Sequence, residues 1–100
     1  MMANPTFAEA IHAIARGLRE GVPSHALLNG AAARIDHLGR RLHGLGCVRD
    51  REIAACFTAA IAELDASHGF EEGARGEAVA RAAGQLEAAL AYADEGVAAG

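Results

Sequence analysis

The apolar residues of this chain recur every three or four positions in four successive blocks, the period of one buried stripe on an α-helix. In the first block Phe7, Ile11, Ile14 and Leu18 follow at intervals of four, three and four. Thr6 with Glu9 three residues later has the capping-box pattern, in which each side chain satisfies a backbone N–H that the first turn leaves without a partner. Gly21 and Pro23 then stop the block, which predicts a helix over 6–20.

Ser24 is placed to cap a second helix over 24–45. Its seam of Leu28, Ala31, Ile35, Leu38, Leu42 and Leu45 alternates by three and four, the 3.5-residue repeat of left-handed, coiled-coil-like packing. Gly30, Gly39 and Gly44 lie within it. Each costs about 1 kcal/mol against Ala, so they are expected where another backbone comes close. Residues 43–49 read as a turn. Asp50 is expected to cap a third helix over 50–68, with Ile53, Phe57, Ala60, Ile61 and Leu64 on one face and Gly69-Phe70 as a Schellman ending. A fourth helix over 71–97 starts weakly, because Gly73 and Gly76 fall in its first turns. It firms up through Val79, Ala83, Leu86, Leu90, Ala93 and Val97, and its tail is expected to fray. No segment has the two-residue alternation of a strand. Short connections favour antiparallel neighbours, so the expectation is an all-α, antiparallel bundle of four helices forming one domain over 1–100.

Composition sharpens this picture. Of 100 residues 26 are Ala, and only 22 are Leu, Ile, Val, Phe or Tyr. Ala favours helix because it loses no rotamer freedom, yet each Ala buries little area. Such helices are expected to pack closely across small residues, to complete their core by dimerisation, or both. The net charge of −4 argues against a general nucleic-acid binder, which carries a basic footprint. The charge is uneven: residues 1–51 hold seven Arg and four acids, whereas 52–100 hold two Arg and nine acids. Cys47 and Cys56 lack metal or redox spacing and read as free thiols of a reducing compartment. The start MMANPTFAEA has no signal-peptide character, and no run approaches the roughly 20 apolar residues of a membrane span. A cytoplasmic protein without a membrane partner is expected.

Chemistry-bearing patterns are few. Glu9-x-x-His12 and Asp65-x-x-His68 invite a di-metal reading, since such bundles use a Glu-x-x-His on each of two helices. At 100° per residue, however, Glu9, His12 and Arg16 fall opposite the first apolar stripe, and the second helix offers only Asp36. His68, at the end of the third helix, reads as a C-terminal capping residue. A helix-turn-helix over 38–57 would present Arg49, Asp50, Arg51 and Glu52, a mixed-charge surface with few base-reading groups. No G-x-S-x-G, Walker A, G-x-G-x-x-G, H-E-x-x-H or EF-hand pattern occurs. No catalytic residue, metal or cofactor is assigned, and an enzyme is not expected.

Two features point to association instead. A basic set (Arg34, His37, Arg40, Arg41, His43, Arg49 and Arg51) follows the second helix, with Arg34 and Arg41 flanking its seam. Arg beside an apolar seam lays its stem along a partner and presents a planar fork to carboxylates, here expected from the third and fourth helices. On the fourth helix Arg81, Gly84, Gln85, Ala88 and Tyr92 form a strip of small residues on the face opposite Leu86 and Leu90. The leading expectation is therefore a helical interaction module: an adaptor, a regulatory or inhibitory subunit, or a phage- or plasmid-type modulator. It would act as a homodimer on a larger protein partner through Leu28, Arg34, Ile35, Leu38, Arg41, Leu42, Arg81, Gln85 and Tyr92. The alternatives are a nucleic-acid-related modulator, binding DNA through 34–51 or presenting an acidic surface to a basic machine, and a His-based metal bundle.

Overall fold

The computed structural model describes residues 6–42, 44 and 49–99, with 94–99 described by backbone alone. Four helices follow in order: α1 Phe7–Glu20, α2 His25–Leu42, α3 Asp50–Ser67 and α4 Glu72–Ala99. No strand occurs among the described residues. The architecture is the expected all-α four-helix bundle.

The helix starts follow their local chemistry. The Glu9 N–H donates to Thr6 Oγ1 at 3.1 Å and the Thr6 N–H donates to Glu9 Oε1 at 3.0 Å, a complete capping box. The Leu27 N–H donates to Ser24 Oγ at 3.1 Å, so Ser24 caps α2 as expected. Asp50 does not cap α3. It is the first helical residue, and the cap position belongs to Arg49, whose side chain makes no capping bond. An acid in the first turn still faces the positive end of the helix dipole.

The helix ends depart further from expectation. α2 stops at Leu42 and not at 45, and the Gly44 N–H donates to the Arg41 carbonyl at 3.0 Å to close a turn. Leu45, the last seam position, lies outside the described residues, as do His43 and Cys47. The end of α3 is not a Schellman motif. The Gly69 and Phe70 N–H groups donate to Ala66 and Ser67 in successive tight turns, and Phe70 remains 36% exposed. The terminal carbonyls are met from α4: Arg75 donates from Nε to the Ser67 carbonyl at 3.2 Å and from Nη2 to the Phe70 carbonyl at 3.0 Å. This tertiary cap holds the glycine-weakened start of α4, which is helical from Glu72. The far end is helical to Ala99, two residues beyond the expected 97.

The helices close in a ring. α4 packs most extensively, against α3 and α1; α2 lies on α3; α1 and α2 touch least. Neighbours run antiparallel. The end of α3 meets the start of α4 through Glu63 and Arg81, and the start of α2 meets the end of α3 through His25 and His68. The core holds Ile11, Leu28, Ile35, Leu42, Ile53, Leu64 and Leu86, fully buried, interleaved with Ala60, Ala82 and Ala89. Alanine thus lets α4 lie close to both neighbours. Val22 and Phe70 are the large apolar side chains left exposed among the described residues. The radius of gyration is 13.4 Å, against about 13 Å expected for a folded domain of this length. The chain's own helices cover these residues.

Candidate docking groove

The loose contact between α1 and α2 leaves a groove. Its main section has a volume of about 490 Å³, with Ile14 and Leu38 as floor. Ala10 and Ala13 form the α1 wall, and Ala33, Arg34, His37 and Arg41 form the α2 wall. A smaller section of about 110 Å³ continues toward the α1–α2 turn, sharing Ile14 and Arg34 and bringing in Gly17, Ala26 and Gly30. The walls follow from helical phase. Residues 10, 13 and 17 form one strip of α1, and 26, 30, 33 and 37 form one strip of α2, each beside the buried stripe of its helix. All are Ala or Gly except His37, so the two helices meet without filling the space between them.

Glycine placement supports this view. A Cβ added at Gly17 or Gly30 would meet nothing within 4 Å, whereas one at Gly39 would contact Phe57 at 3.7 Å. The expected close backbone approach is therefore absent at Gly30, and at Gly39 it is a side chain, Phe57, that comes near. Among the described residues, a Cβ at Gly44 would meet the Arg41 carbonyl, at 3.6 Å.

The sequence-derived site residues separate into three groups. Leu28, Ile35, Leu38 and Leu42 are buried in the core, 4% exposed or less, so the seam is covered by the chain's own helices and offers no surface to a second subunit. Arg34 and Arg41 are exposed on the groove wall. Among the described residues they reach no carboxylate of α3 or α4, because their strip of α2 turns toward α1. On α4, Arg81 is joined to Glu63 at 3.1 Å, Tyr92 is half-buried against the core, and Gln85 stands at the surface. The strip expected there is thus partly engaged within the chain.

Charge pairing elsewhere is dense. Arg19 forms a two-pronged bond to Glu87, Nε to Oε2 and Nη2 to Oε1, both 2.7 Å, tying α1 to α4. The hydrogen bond from Arg19, together with its charge and that of His12, holds the Glu87 carboxyl below its ordinary pKa; the same bond raises Arg19. Arg16 pairs with Glu20 and Arg40 with Asp36, each one helical turn apart. The uneven charge of the two halves is matched in part within the chain, by Arg19 and Glu87 across α1–α4.

The metal readings find no support in the geometry. Glu9 is committed to its cap and His12 is exposed. No group of three or more potential ligands occurs among the described residues. His68 has a partner that sequence reasoning missed. Its Nδ1 lies 2.6 Å from His25 Nδ1, with ring planes 5° apart and centroids at 4.9 Å. The centroid separation exceeds the N···N distance by about two ring radii, so the two nitrogens lie on the line between ring centres. The rings therefore meet edge to edge in a common plane, the geometry of an N–H···N hydrogen bond and not of face-to-face stacking. Nothing about either His alone signals this, since the two are 43 residues apart. An ion between them would need two bonds of about 2.0–2.1 Å from lone pairs that here point at each other. Cys56 is buried, and burial pushes its thiol pKa up, the setting of an unreactive structural cysteine.

The fold and groove define a four-helix bundle whose loosest helix contact is α1–α2; a second hollow of about 410 Å³, lined by Asp36, Arg40, Phe57 and Thr58 among others, lies between α2 and α3. No protein-family model, curated protein or solved structure matches the chain. No helix of the described residues is long and apolar enough to cross a membrane.

Proposed function

We propose that this chain is a protein–protein interaction module, an adaptor or a regulatory or inhibitory subunit, that receives a helix of a larger partner between α1 and α2. The observation that carries this reading is the groove itself: an apolar floor, Ala and Gly along both walls, and no side chain of the described residues filling it. Small walls let a third helix approach closely, and helix-in-groove binding is a recurrent mode of recognition. The reading is of a binding protein, because the groove offers an apolar floor beside a cationic rim of Arg34 and Arg41. Self-association through the α2 seam loses its basis, since the seam is buried within one chain.

A photo-crosslinking residue placed at Ala13 or Ala33, in the native host, tests this. Specific adducts with one protein are expected there and not from exposed Ala55 or Ala62 on α3. Equal labelling from all four positions, or none from the groove, refutes the reading.

A further inference from the structure

We infer that the groove's occupant is an acidic amphipathic helix of another protein, with carboxylates two turns apart facing α2; this rests on the interaction reading above and specifies its chemistry. Arg34, His37 and Arg41 form the α2 rim. Neither the Arg34 nor the Arg41 guanidinium has an ion pair or hydrogen bond among the described residues, although Arg16, Arg19, Arg40 and Arg81 each hold a carboxylate. The contrast between Arg40, paired with Asp36, and its free neighbour Arg41 is local: successive residues point to different faces of α2. The α1 wall carries no charge at Ala10 or Ala13, so the field across the groove is one-sided.

Arg34 and Arg41 are separated by seven residues, about 10.5 Å along the helix. A bound helix lying along α2 repeats at the same distance, so carboxylates at i and i+7 meet both guanidiniums while an apolar ridge settles on Ile14 and Leu38. Guanidinium takes a carboxylate with two parallel bonds, a fit that Lys lacks. A second copy of this chain is a poor occupant. Groove against groove would bring Arg34 and Arg41 toward their own images, and like charges in apposition oppose association. The exposed face of α4 near Glu77 carries small residues and no large apolar ridge.

The test uses the full chain and three fluorescent probes: a synthetic three-heptad helix with a Leu ridge flanked by Glu, its twin with Lys for Glu, and a short DNA duplex. Anisotropy is expected to show saturable binding of the Glu helix about tenfold or more tighter than the Lys twin. Arg34→Glu with Arg41→Glu should invert that preference, and Arg34→Lys with Arg41→Lys should weaken Glu-helix binding. Ala13→Trp should abolish it, with circular dichroism and the urea midpoint confirming that each variant folds. Equal binding of both peptides, or binding of neither, overturns the acidic-helix inference even where crosslinking at Ala13 has identified a partner. Tighter binding of the duplex, lost in the Arg34→Glu and Arg41→Glu variant, overturns it in favour of nucleic acid. Failure of crosslinking instead removes the interaction reading itself.

Discussion

His25 and His68 share one hydrogen bond between their Nδ1 atoms, 2.6 Å apart, and so join the first residue of α2 to the cap of α3. One ring must donate and the other accept, because two neutral rings with bare Nδ1 atoms would set lone pair against lone pair. Long-range ¹H–¹⁵N NMR at neutral pH is expected to find one ring with its proton on Nδ1 and the other with its proton on Nε2. Finding both rings as Nε2–H tautomers would show that the bond does not form.

Burial of the α2 seam inside one chain makes a quantitative claim. Leu28→Ala and Ile35→Ala each remove a fully buried side chain, and each is expected to lower stability by about 2–5 kcal/mol. The urea midpoint of the parent protein should not move with protein concentration, whereas a seam that held two subunits together would make it rise with concentration.

The glycines of the groove should yield the opposite sign. Gly30→Ala introduces a methyl group into open space and removes the backbone entropy cost of Gly in a helix, a gain of about 0.5–1 kcal/mol. Gly39→Ala should gain at least as much, because its Cβ would make an ordinary van der Waals contact with Phe57 at 3.7 Å. Thermal unfolding of the two variants side by side checks the order. If the groove receives a helix, the stabilised Gly30→Ala protein should also bind its partner less tightly.

Glu87 and Glu9 set a pH dependence. Both carboxyls are held below their ordinary pKa in the folded chain, Glu87 chiefly by its hydrogen bond from Arg19 and Glu9 by the bond from the Thr6 backbone. A carboxyl lowered on folding binds its proton more readily when unfolded. Its contribution to stability is therefore present above the ordinary Glu value and disappears as pH falls through the lowered folded value. Glu87→Gln should reduce the loss of stability on acidification below about pH 4, leaving a shallower slope of urea midpoint against pH. An unchanged slope would show that the Arg19 bond does not persist in solution.

Much of the fold was legible in the sequence because it is written in short-range terms. The Thr6–Glu9 box, the Ser24 cap and the four apolar stripes each depend on residues within a turn or two of each other. The failures share a cause. The end of α3 has no local sign because its carbonyls are met by Arg75 from the next helix, whereas Gly69-Phe70 carries the pattern of a local ending. The α2 seam was rightly recognised as apolar, but periodicity does not say which chain covers it. The groove was half visible: Arg34 and Arg41 stood out, while the Ala and Gly strips facing them are inconspicuous in a chain with 26 alanines. The pairing of His25 with His68 requires the ring closure of the bundle and has no local sign.

The clamp of Arg75 on the end of α3 bears on the order of assembly. It joins residues only eight apart, so it closes a short loop at little cost in chain entropy. It also bridges the two helices with the largest shared interface. An α3–α4 hairpin pinned at its turn is the natural folding nucleus, with α1 and α2 adding to its flanks. Arg75→Ala should then slow folding more than it speeds unfolding, and the loose α1–α2 contact would be the last seam to come together.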